Sequence, residues 1–276
     1  MKRLLSIEWS KLYNYKAARI FILLYFVALI AFGVIASFIK PNVGGMEINL
    51  KELGFFDFPY IWQNITFLFA IGKLFLGMII IMNMTNEYSN GTLKQNLIDG
   101  LSKEEFIRSK WLTNIVLALA SALFVFIITS ILGLIFSGST FSFYDGMAFL
   151  FAYFIKLLFF FTLCLFLAVL LKKSVLALLG FFVLWMVEGS LMIAELLTKG
   201  TTDKELNEQP IFITDYLPLG SSGKLIPYPS VDLQGFLMNK SAFVMQYVNW
   251  SFVLTSVCYT ALFMFLTSFL LKRRDL

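Results

Sequence analysis

Six apolar runs dominate the chain: residues 20–39, 61–85, 111–137, 147–171, 175–197 and 249–271. A helix rises about 1.5 Å per residue and a bilayer's hydrocarbon core is about 30 Å thick, so roughly twenty apolar residues suffice to cross it. In hydrocarbon each peptide N–H and C=O must find its partner within the protein, which leaves only helices and closed barrels. A barrel needs alternating strands of about ten residues, and no such alternation is visible. The expected fold is therefore an all-α membrane protein: a single transmembrane domain over 1–276 with six transmembrane helices. A composition 59% hydrophobic and 14% charged agrees.

The segment before the first run is polar but patterned. Leu5, Trp9 and Leu12 recur at helical spacing, with Arg3, Ser6, Ser10 and Asn14 on the other side. Residues 1–17 are thus expected to form an interfacial helix lying on membrane lipid. The following run is too long for the apolar core of a signal peptide and lacks an A-x-A exit, so it reads as a retained span.

Chemistry is narrowed by what is missing. There is no histidine, the usual zinc ligand and the usual general base of hydrolases. Cys164 and Cys258 both lie in apolar runs and read as small buried hydrophobes. No catalytic residue, metal site or cofactor is expected. The net charge of +5 comes mainly from cations flanking the spans, which makes nucleic acid a poor partner. Fourteen of the 22 Lys and Arg residues fall on the side holding the termini, the loop 86–110 and Lys172-Lys173; six fall on the other side and two lie within spans. The positive-inside rule makes the first side cytoplasmic.

Between spans two and three, Asn86 to Lys110 carries clear helix punctuation. Asp99-Gly100 is a stop, because glycine tolerates the left-handed conformation that ends a helix. Ser102 restarts one: with Glu105 it has the S-x-x-E spacing of a capping box, and Leu101 and Phe106 stand at the positions of a hydrophobic staple. The expectation is a short helix, a sharp turn and a capped second helix.

Glu87, Gly91-Thr92 and Lys110 also resemble the E-x-x-x-G-T segment, closed by a lysine, of ABC-2 type transporter permeases. Those loops often continue T-P-x-S-R, where this chain has Gly100-Leu101-Ser102-Lys103. The resemblance implies a membrane-spanning permease subunit of an ATP-driven transporter, an exporter in a bacterial inner membrane. Residues 86–110 would be the element that docks on a separate cytoplasmic ATPase. Its parts would be Glu87 at the start of the loop, Gly91 and Thr92 at the first helix, and Gly100, Ser102 and Glu105 at the turn and cap. Leu97, Ile98, Leu101 and Phe106 would form an apolar surface, packed on the loop itself or set into an ATPase groove. Two ATPase subunits, binding ATP and magnesium, and a second permease copy or paralogue would complete the assembly.

Four ionisable residues interrupt the spans: Lys73, Lys156, Glu188 and Glu195. Lys156 and Glu188 reach similar depths on neighbouring antiparallel spans, which allows an ion pair between them. A transport or proton route is the other reading, with Lys73 its better candidate. The loop 198–248 is too apolar to be simply solvated. It is expected to hold a short interfacial helix near Val231–Met238, a dock for an extracytoplasmic partner, or a folded lid. Within it, Gly220-Ser221-Ser222-Gly223-Lys224 mimics the end of a phosphate-binding loop. Pro218 replaces the first glycine and Leu225 the magnesium-binding hydroxyl, so that reading is rejected. Trp62, Tyr247 and Trp250 suggest an outer aromatic belt and Trp111 an inner one. Two rival functions stay open: an ion-coupled transporter using the four charges, and a six-span membrane-embedded enzyme.

Overall fold

The computed structural model describes residues 2–38, 42–43, 46–47, 54–137, 143–199, 212–231, 243–244 and 246–273. Along the chain its helices are α1 (Lys2–Asn14), α2 (Lys16–Phe38), α3 (Tyr60–Phe69), α4 (Lys73–Ser89) and α5 (Thr92–Ile98). They continue with α6 (Lys103–Phe136), α7 (Ala148–Leu171), α8 (Ser174–Lys199), α9 (Pro218–Lys224) and α10 (Trp250–Arg273). Two short antiparallel pairs, β1 (Asn42–Val43) with β2 (Met46–Glu47) and β3 (Ser230–Val231) with β4 (Phe243–Val244), complete the described elements. Five helical stretches are long and apolar enough to cross a membrane, or six if α1 and α2, bent by 87°, count as one. Of the interfacial helix expected near Val231–Met238, residues 232–238 lie outside the described part.

Helix α7 is apolar nearly all round, and a helix with no polar face must be covered by its neighbours. It sits at the centre, packed by α3, α4, α6, α8 and α10. Of its most apolar stretch 72% is buried, against 11% for α8, which therefore lies at the edge with its apolar side chains outward. The two join through a tight turn in which Lys172 takes a left-handed conformation at φ 61°.

Helices α3 and α4 form one path broken by a 3-10 turn at Ala70–Gly72. There the ring of Tyr25 on α2 closes over Gly72: a Cβ on that residue would stand 2.8 Å from Tyr25 Cε2. One turn further, Gly77 admits the ring of Phe160, which a Cβ would meet at 2.5 Å. The buried hydroxyls of Tyr25, Ser121 and Tyr153 bond to one another across α2, α6 and α7, so polar groups in the core are satisfied there.

Two aromatic and cysteine expectations are corrected. Trp62 is fully buried and donates its indole N–H to the Phe143 carbonyl at 2.8 Å, so it does not belong to an outer belt. Tyr247 and Trp250 are exposed. Cys164 is buried as expected, but Cys258 is exposed on α10.

The close approach at Gly77 has a measurable consequence. Gly77→Val should force Phe160 aside and lower stability in detergent by about 1–3 kcal/mol. Gly189 on α8 has nothing within 4 Å of its added Cβ, so Gly189→Ala should be neutral or stabilising by up to about 1 kcal/mol. Equal melting shifts in the two variants would refute the packing argument.

Candidate functional site

The surface knob is built by backbone geometry before any side chain acts. Gly91 sits at φ 67° ahead of α5, with open space around its missing Cβ, so conformation rather than crowding requires glycine. At the other end of α5, Leu101 N–H bonds to the Asn96 carbonyl and Gly100 N–H to the Leu97 carbonyl. With Gly100 at φ 93°, this is a Schellman stop. Ser102 then caps α6: its hydroxyl accepts from Glu105 N–H at 3.1 Å and the Glu105 carboxylate accepts from Ser102 N–H at 3.0 Å. The stop and the capping box stand at the residues the spacing indicates.

Beneath the knob lies a charge cluster. Lys110 on α6 donates to Glu8 Oε2 of α1 at 2.8 Å and to Glu87 Oε1 of α4 at 3.0 Å. Lys11 on α1 reaches Glu87 Oε1 at 2.7 Å and Glu8 Oε1 at 3.3 Å. Asn83 bonds to Glu8 as well. The other oxygen of Glu87 accepts from the Thr92 hydroxyl at 2.7 Å and from Asn96 at 3.5 Å, which ties α5 to α4. Two carboxylates and two ammonium groups balance, and the side chains of Glu8, Glu87 and Lys110 are nearly fully buried. This gives the E-x-x-x-G-T spacing a physical logic: glycine turns the chain back so that threonine can bond to the glutamate five residues earlier.

Glu87 and Lys110 are thus buried fasteners within the chain. Of the apolar residues Leu97, Ile98, Leu101 and Phe106, two pack inward. Phe106 is buried in the core, with the Lys110 ammonium 5.3 Å from its ring, and Leu101 is half-buried against that core. Leu93, not singled out from the sequence, is buried and anchors α5. Leu97 is half-buried, while Ile98 stands 84% exposed at the tip. Sequence reasoning also missed Glu8. The available signal was its place at helical spacing between Leu5 and Leu12, on the apolar rather than the polar side of α1.

The charges in the spans do not meet as expected. Lys156 and Glu188 form no ion pair; both hold α9. Leu217 precedes α9 and offers no side-chain cap, so Glu188 on α8 supplies one, accepting from the Leu219 and Gly220 N–H groups at 2.9 and 3.0 Å. Lys156 on α7 donates to the Gly223 carbonyl near the other end, at 3.2 Å. An anion at the start and a cation at the end is the arrangement that suits a helix's exposed peptide groups. Glu195 does likewise for the 3-10 turn Ile213–Tyr216, accepting from the Ile213 and Thr214 N–H groups, both at 2.9 Å. Asp215 is buried and pairs with Lys224 at 3.4 Å. The sequence that mimics a phosphate loop is inside α9, with Ser221 and Ser222 buried. Lys73 lies elsewhere, half-buried where α4 begins, its ammonium 5.0 Å from the ring of Phe160.

Fold and site together define a polytopic helical membrane protein with an internally locked knob at one end and a clamped short helix in a separate polar centre. The chain belongs to the ABC-2 family of transporters: the model described as "ABC-2 family transporter protein" matches residues 4–188, well over half of its length. It is a membrane-spanning permease of an ABC transporter. The match contains the whole charge cluster and the knob, and stops at Glu188, short of α9 and α10. No curated protein matches the chain.

Both polar centres can be tested by breaking them. Lys110→Met leaves two buried carboxylates sharing one lysine and should destabilise the protein by about 3–5 kcal/mol, whereas Lys94→Met, at an exposed site, should stay within about 0.5 kcal/mol. Melting in detergent compares them; similar midpoints would show that the cluster is dispensable. Glu188→Ala should free α9. A cysteine at Ser222, buried in the parent, should then react with a water-soluble thiol reagent, and unchanged protection would mean that packing alone holds α9.

Proposed function

We propose that this permease works in an ATP-driven exporter, docking through α5 on a separate cytoplasmic ATPase. The reading rests above all on Ile98: an apolar side chain left 84% exposed at the tip of a knob whose every other large apolar residue is at least half-buried. A solvated turn has no use for such a residue, while a groove on a partner does. Burial contributes roughly 25 cal/mol per Å² of apolar surface, so Ile98 with part of Leu97 is the source of docking energy. The exposed Lys94 and the neighbouring Lys103 would tune register and encounter rate.

The cluster below fits the same role. A load on α5 passes through Thr92 to Glu87, and from there to Lys110, Glu8 and Lys11, reaching α4, α6 and α1 without crossing a flexible joint. Two ATPase subunits would bind ATP and magnesium, and the chain itself would perform no chemistry. Two permease copies, or one copy and a paralogue, would form the route. In a bacterial inner membrane the excess of cations on one side favours a cytosolic position for both termini and residues 86–110. An extracytoplasmic partner would then meet the opposite side at 198–248, where α9 is clamped.

Replacement of Ile98 by aspartate should abolish ATPase co-purification while leaving expression and melting unchanged. Ser102→Ala should lower stability by about 1 kcal/mol and weaken the association only partly. Full ATPase association by the Ile98→Asp protein would sink the docking assignment.

A further inference from the structure

The charged residues of the knob cluster and of the spans fall into three groups, and one of them holds cations alone. In the cluster beneath the knob, two carboxylates meet two lysines. At the α9 end, Glu188 and Glu195 are occupied by backbone N–H groups. Between them stand Lys73 and Lys156, and neither has a carboxylate partner among the described residues. Lys156 is buried and donates to one carbonyl, that of Gly223. Lys73 has only the face of Phe160. Phe160 is one helical turn from Lys156 on the same side of α7, so both lysines converge on that face.

The surroundings point to a ligand rather than to a structural pair. Lys73 lies thirteen residues into the helical path Tyr60–Ser89, about 20 Å from either end, farther than its stem can carry the charge to water. Lys73 as a residue is only half-buried, and its neighbours Ile71 and Leu74 are exposed, so its stem stands at the rim of the bundle while its ammonium turns inward over Phe160. An unneutralised cation at that depth is unfavourable. The floor beneath it is built: Gly77 admits the Phe160 ring, and Phe181 of α8 meets that ring edge-on at 5.3 Å. Beyond it extends the open apolar side of α8.

We propose that Lys73, with Phe160 beneath it and Lys156 behind, binds the anionic group of an amphiphile: a carboxylate, phosphate or sulfate whose apolar tail lies along α8. The anion supplies the charge the two lysines lack, and the aromatic pair orients the head. This deepens the permease reading by giving the class of molecule handled, and it rests on that reading only for the purpose of binding.

The full chain, purified into phosphatidylcholine nanodiscs without ATPase, is titrated with dodecyl phosphate and with dodecylphosphocholine, which shares the tail but has no net charge. Native mass spectrometry reads occupancy. The parent should favour dodecyl phosphate by about tenfold or more, the size of one charge-assisted hydrogen bond. Lys73→Gln should erase the preference, and Lys156→Met should reduce it. Lys73→Arg should keep it, as should Lys94→Gln, which changes a distant exposed cation. Displacement by phosphatidylglycerol would assign the site to bilayer lipid, and resistance to displacement would assign it to a transported solute; either outcome supports an anion site. Equal affinity for the two probes, or an unchanged preference in Lys73→Gln, would overturn it. Ile98→Asp protein should bind dodecyl phosphate like the parent, so loss of docking and loss of anion binding are separable results.

Discussion

Lys110 is the residue on which the other elements at the knob end depend. One ammonium, carried by α6, joins carboxylates from α1 and α4, and α5 hangs from the second of them through Thr92. A buried ion is unfavourable alone and tolerable only when its hydrogen-bonding capacity is filled. Here the filling comes from two other helices, α1 and α4, so neither can shift without exposing charge to an apolar interior. The 87° bend between α1 and α2 makes sense in this setting, because it lays Glu8 and Lys11 across the ends of α4 and α6.

The two ends of the bundle solve one problem with different chemistry. Beneath the knob, side chains neutralise side chains. At the α9 end, Glu188 and Glu195 accept from peptide N–H groups, and Lys156 donates to a peptide carbonyl. The first solution is rigid, since it needs four residues from three helices in register. The second binds segments that are short and local, Pro218–Lys224 and Ile213–Tyr216, to the walls of two long helices. These segments are also packed in place, with Ser221, Ser222, Leu225 and Ile226 buried.

Much of this architecture is legible in the sequence because it follows from local rules. The long helices track the apolar runs, and the stop at Gly100 and the cap at Ser102 depend on residues adjacent in the chain. What depends on tertiary contact was not legible. Lys156 and Glu188 stand at similar depths on neighbouring spans, but a loop distant in the chain folds back and takes both. For Phe106 the spacing allowed packing on the loop itself or insertion into a partner; its position four residues past the cap turns it into the core. Trp62 read as an interface residue because tryptophan usually is one; its N–H finds a buried carbonyl instead. Glu8 carried a signal, an acid on an apolar stripe, that gains meaning only beside Lys110.

Helix α6 has a mechanical consequence. It runs 34 residues without a break, about 51 Å, whereas the hydrocarbon is about 30 Å thick. It therefore behaves as a stiff rod whose end stands well clear of the apolar slab. A tilt of about 10° about its midpoint would carry that end by about 4 Å. Leverage of this kind works in both directions: a small displacement at the surface and a small reorientation at the centre of the bundle are one movement, seen at different distances from its pivot.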